Sequence, residues 1–209
     1  MLKIIIPTFP RSGTSFLAGL LTRMGFSAGP ENMLKKGDQY NPFGYFECLP
    51  IMTINRNILA KFGGHIVNRI PELPADWVDV VKEDKKWIKK FIIENKIEII
   101  KDPHLLVLAD MYDELFPDAR WIVINRNIHE TYKSRFGRKM SFDEWKILTE
   151  KRMIKWMGSR PYQQALKLDY NDFFVDITDT IQKIVEFLRI ELTEMQWEEC
   201  ISFFRPKSR

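Results

Sequence analysis

At 209 residues, with 45% hydrophobic and 29% charged side chains, the chain suits one globular domain with a real core and excludes a disordered or fibrous protein. A net charge of +4 permits an anionic ligand without calling for nucleic acid. Cys48 and Cys200 are too few and too far apart for a disulfide framework or a C-x-x-C metal site, and no run approaches the roughly 18 apolar residues of a membrane span.

The chain opens on Ile4-Ile5-Ile6, a β-branched run expected of a strand buried on both faces of a parallel sheet, which Pro7 and Pro10 stop. No signal-peptide pattern precedes it, so a cytoplasmic location is the expectation. After Gly13, the spacing of Phe16, Leu17, Leu20, Leu21 and Met24 predicts a helix with one broad apolar face. The intervening loop holds Arg11, Ser12, Gly13, Thr14 and Ser15 at the mouth of that helix, whose free amides attract anions. A phosphate or sulfate fits there. A triphosphatase loop does not, because G-x-x-x-x-G-K-[ST] needs a lysine directly after its second glycine and this chain has Thr14 after Gly13.

Residues 27–46 are polar, glycine-containing and aperiodic, and read as a loop. It ends in Asn41-Pro42-Phe43-Gly44-Tyr45-Phe46-Glu47, ahead of a helix reaching about Phe62. Glu47 at that junction suits the positive end of a helix dipole. Residues 63–82 read as an irregular connection with a short apolar patch at Trp77, and Lys85 to Asn95 as a helix whose lysines face solvent. Ile97 to Ile100 predicts a second strand, with Asp102 as N-cap and Pro103 as first residue of the next helix. Lys101 closes this strand, where a parallel sheet opens its binding crevice and a lysine can steady developing negative charge. His104 is a candidate base, since imidazole accepts a proton near neutrality.

Trp121-Ile122-Val123-Ile124 predicts a third strand ending at Asn125-Arg126, followed by a helix over about 127–136 with Asn127, Glu130 and Ser134 on one face. Arg126 and Ser134 together suit a phosphate gripped by a guanidinium fork and a hydroxyl. Ser141 and Glu144 stand in capping-box spacing at the start of a helix to about Met157. Ala165 to Tyr170 predicts a last strand and Ile181 to Leu188 a closing helix.

Pro10-Arg11-Ser12-Gly13-Thr14-Ser15 resembles the 5′-phosphosulfate loop of the sulfotransferases, which use 3′-phosphoadenosine-5′-phosphosulfate (PAPS). Leu115 to Arg126 with Ser134 eight places on resembles their 3′-phosphate site, with Asn127 where aspartate is usual. Residues 41–47 are similar to the N-P-x-G-Y-F-E stretch of bacterial members, and 165–190 to their D-Y-x-D-L-L and F-L-G-L tail, with Arg189 in place of glycine. The resemblance implies a three-layer α/β/α sandwich around a parallel sheet of four or five strands, one domain over residues 1–209.

It also implies roles. Residues 12–15 hold the 5′-phosphate, Arg11 neutralises charge on the bridging and leaving oxygens, and Arg126 with Ser134 clamps the 3′-phosphate. Glu47 removes the acceptor's proton and Lys101 steadies the sulfuryl oxygens; His104 is the rival base, although cytosolic members space these residues K-x-H and this chain has K-x-x-H. Phe16 either encloses adenine or belongs to the helix core, and Arg205, Lys207 and Arg209 either reach the 3′-phosphate or fray. No metal is expected, because arginine and helix dipole do what Mg²⁺ does for triphosphates. The acceptor is a small molecule, carbohydrate, lipid or peptide, which the sequence does not distinguish. A P-loop small-molecule kinase and a non-catalytic nucleotide-binding domain are the alternatives.

Overall fold

The computed structural model describes residues 1–39, 41–64, 70–134 and 140–204, Phe204 by its backbone alone. Four parallel strands form one sheet in the order β2-β1-β3-β4: β1 (Ile4–Pro7), β2 (Ile99–Asp102), β3 (Arg120–Asn125) and β4 (Leu166–Asp169). The helices, in chain order, are α1 (Thr14–Arg23), α2 (Leu49–Lys61), α3 (Trp77–Val80), α4 (Lys82–Glu94), α5 (Leu105–Leu115) and α6 (Ile128–Lys133). They continue with α7 (Phe142–Met157), α8 (Arg160–Gln164), α9 (Asp172–Val175), α10 (Ile177–Leu188) and α11 (Glu194–Phe204).

Alternation along the strands builds two cores. Ile5, Ile100, Trp121 and Val123 face α2, α4, α5 and Trp156 of α7, while Ile4, Ile6, Ile99, Ile122, Ile124 and Leu168 face α1, α10 and α11. The result is the expected three-layer sandwich with four strands. All of the first two strands is buried, which is why β1 reads as a continuous apolar run, while β2 carries two buried charges, Lys101 and Asp102, at its end.

Several elements differ from the sequence reading. Helix α3 and the start of α4 fall within residues 63–82, read as an irregular connection, and α8 and α9 are short helices that this reading does not set apart. Two further differences have a local cause. Helix α5 starts at Leu105, two residues later than an Asp102 cap requires: Asp102 stays in β2, and its carboxylate accepts the His104 N–H at 2.7 Å. Helix α11 was not anticipated. It is signalled by Thr193-Glu194-Met195-Gln196, in which the Gln196 N–H donates to the Thr193 hydroxyl at 3.3 Å and the Thr193 N–H to the Gln196 amide oxygen at 2.9 Å. Ser141 caps its helix as the sequence predicts, and Asn127, read as the first residue of its helix, is the residue that caps it.

Candidate functional site

The C-terminal ends of the strands open into a cleft of about 460 Å³. On one side lies the β1–α1 loop. Arg11 there adopts a left-handed backbone (φ 67°), and Gly13 follows at φ 95° as the residue before α1. An alanine at 13 is excluded twice, by that φ and because its Cβ would stand 2.5 Å from the Tyr170 ring. Gly13, Thr14, Ser15 and Phe16 line the cleft, where the first turn of α1 presents its amides. Ser12 does not line it: its hydroxyl is buried on the Phe9 carbonyl at 2.7 Å, closing the turn.

Against this loop stands Arg126, directly after β3. Its Nη1 donates to the Arg11 carbonyl at 3.0 Å, its Nε to Glu130 at 3.2 Å, and its guanidinium lies 3.9 Å from the centre of the Tyr170 ring. Ser134 reaches the site through Arg11, whose Nε donates to its hydroxyl at 3.5 Å. The two anion grips are therefore joined, with Arg126 and Arg11 held side by side.

The floor is an ion pair. Glu47 and Lys101 are both buried, and Lys101 Nζ donates to Glu47 Oε1 at 2.7 Å; Lys35 Nζ lies 3.4 Å from Oε2. Burial lowers the Lys101 ammonium below its ordinary 10.5, and Glu47 opposes that shift. Glu47 sits one residue before the α2 cap and its carboxylate turns to these lysines rather than to the helix amides. His104 lies elsewhere. Its ring is buried against the Asp102 carboxylate, outside the cleft lining, and its Nε2 has no hydrogen-bond partner among the described residues.

Phe16 touches the cleft while its ring packs edge-on against Phe173 and parallel to Phe203, each at 5.2 Å between centroids. It thus belongs to both the helix core and the cleft wall. Arg205, Lys207 and Arg209 lie outside the described residues. Sequence reasoning missed Lys35, Asn41, Tyr45 and Tyr170 as lining groups. Tyr170 follows β4 directly, so the rule that ligands gather at strand ends would have found it. Lys35 and Asn41 carry no such signal.

A larger apolar hollow of about 660 Å³ lies among Met1–Lys3, Lys89, Ile93 and 115–119, at the opposite ends of the strands. The Lys3 ammonium there is already taken by the Ile97 carbonyl, and no convergent set of polar groups accompanies it. Among the described residues no group of three or more His, Cys, Asp or Glu is placed to hold a metal, and no helix is long and apolar enough to cross a membrane.

A model of the sulfotransferase family matches residues 3–194. Among solved structures, sulfotransferase STF1 from Mycobacterium tuberculosis H37Rv superposes with a TM-score of 0.55 at 13% identity, over 96% of this chain and 71% of that one. The sulfotransferase domain of the Synechococcus PCC 7002 olefin synthase gives 0.55 at 18% identity, over 93% and 75%. A sulfotransferase from Alicyclobacillus acidocaldarius gives 0.53 at 13% identity, over 99% and 92%. At these identities the likeness is one of fold. Comparison with curated protein sequences found no match.

Proposed function

Because this chain belongs to the sulfotransferase family, we propose that it transfers the sulfuryl group of PAPS to a hydroxyl or amine of an acceptor. The observation that carries the reading is the cleft at the strand ends in which the Gly13 loop and Arg126 lie side by side, with the buried Glu47–Lys101 pair in the same lining. Adjacent guanidinium groups of Arg11 and Arg126 beside the free amides of α1 suit a nucleotide that carries two phosphate groups.

The α1 amides and the Thr14 and Ser15 hydroxyls hold the 5′-phosphate, while Arg126 and Ser134 hold the 3′-phosphate. In the transfer, a lone pair of the acceptor forms a bond to sulfur. The bond from sulfur to the phosphate oxygen breaks, its electron pair staying on 3′,5′-bisphosphoadenosine, and the acceptor's proton goes to Glu47. Arg11 and Lys101 offset the charge that grows on the departing and sulfuryl oxygens.

Calorimetric titration with 3′,5′-bisphosphoadenosine tests the donor site. Arg126→Ala is expected to weaken binding by about ten- to a hundredfold, the loss of a charge-assisted fork; unchanged affinity overturns the assignment. Transfer from sulfur-labelled PAPS to a panel of phenols, sugars, lipids and peptides then tests turnover and identifies the acceptor class.

A further inference from the structure

The segment carrying Glu47 folds back on itself. Leu34 bridges Cys48 in antiparallel fashion, and the Lys35 N–H donates to the Glu47 carbonyl at 2.8 Å. Further out, the two oxygens of Asp38 accept from the Asn41 N–H at 3.0 Å and the Tyr45 hydroxyl at 2.8 Å. The fold-back thus presents Lys35, Asn41, Tyr45 and Glu47 to the cleft as one unit. The Lys35 ammonium has two partners there at once: its Nζ is 3.4 Å from Glu47 Oε2 and 4.0 Å from the centre of the Tyr45 ring.

The two oxygens of Glu47 are therefore unequal. Oε1 is held at 2.7 Å by Lys101, whose side chain is 1% exposed, whereas Oε2 is held loosely by Lys35, whose side chain is 41% exposed. We propose that Lys35 is a specificity-determining cation that occupies Oε2 until the acceptor displaces it, so that Oε2 is the oxygen that takes the proton. This rests on Glu47 being the base. Freeing Oε1 instead would strand a buried ammonium, which is costly, while releasing a half-exposed pair costs little. The Tyr45 face, already under the ammonium, keeps a partner for it when Oε2 is given up. Any acceptor must then outcompete Lys35 for Oε2, which penalises those lacking a well-placed hydrogen-bond donor.

Water serves as the probe acceptor. Its oxygen bonds to sulfur, the bond from sulfur to the 5′-phosphate oxygen breaks, one proton passes to Glu47 Oε2, and the products are hydrogen sulfate and 3′,5′-bisphosphoadenosine. Hydrolysis of saturating sulfur-labelled PAPS is measured in the parent, Lys35→Met, Lys35→Arg, and Lys35→Met combined with Glu47→Gln. Lys35→Met is expected to release sulfate about two- to fivefold faster, the fold-change that loss of a weak surface pair gives. Lys35→Arg shows no gain, because the cation is restored, and the Glu47→Gln combination loses it. A merely structural Lys35 predicts a slower variant. Lys35→Met at or below the parent rate, or no hydrolysis in any variant while calorimetry still shows donor binding, overturns this inference alone. A gain that persists with Glu47→Gln overturns both it and the base assignment.

Discussion

Lys101 and Asp102 are neighbours on β2, point to opposite faces of the sheet, and so anchor two different buried ionic clusters. Lys101 meets Glu47 at the floor of the cleft. Asp102 meets core groups instead: Asn55 Nδ2 donates to its Oδ2 at 3.0 Å, Asn55 Oδ1 accepts from the Tyr112 hydroxyl at 3.0 Å, and His104 contributes its N–H and its ring. Both carboxylates are buried to nearly the same degree. What separates them is where their partners lead: from Glu47 to groups that line the cleft, from Asp102 to dipoles on α2 and α5 sealed within the core. Burial of an acid thus does not by itself mark chemistry; the path from that acid to a ligand does.

Three substitutions break or sharpen this contrast. Glu47→Gln keeps the shape and removes the charge, and is expected to lower kcat by about 10²- to 10⁴-fold, the range of general-base catalysis, while bisphosphoadenosine affinity by calorimetry stays close to the parent's. Turnover that survives takes the base role away from Glu47.

Asp102→Ala should do the reverse. It leaves the Asn55 amide and the His104 N–H without their acceptor, costing about 3 kcal/mol and lowering Tm by roughly 6–12 °C. Activity per folded molecule is expected to change only a few-fold, and a loss matching that of Glu47→Gln contradicts the division of labour.

Lys101→Arg gives the smallest effect and reads in pH. Burial lowers the Lys101 ammonium, so the parent's kcat/KM is expected to fall on the alkaline side below the ordinary lysine value of 10.5. Arginine does not deprotonate, so the variant's alkaline fall moves to higher pH. Stability runs the other way. Between the lowered native value and 10.5 the unfolded chain holds a proton that the native chain has lost, so this site makes stability rise with pH.

β1 and β3 were legible because burial on both faces writes itself as β-branched runs, and the Ser141 cap carries its own side-chain signal. The Gly13 loop and Arg126 were legible as candidates because each follows such a run directly. The Glu47–Lys101 pair was not, since it joins positions 54 residues apart and depends on the register that sets Lys101 beside Ile6. Asp102 read as a helix cap because Asp-Pro is sufficient locally; only the packing of Asn55 and Tyr112 above it shows the carboxylate turned into the core. Lys35 gave no signal, because its place is fixed by a fold-back held through backbone bonds.

The central position of β1 has a consequence for how the chain assembles. Ile4 pairs on one side with Ile99 and on the other with Arg120, so β1 has neither neighbour until about ninety further residues have been made. Such distant pairing slows folding and leaves an apolar strand exposed meanwhile. Nascent chains ending between α1 and β2 are expected to need holding by chaperones, and those extending past Asn125 to become protease-resistant in one step.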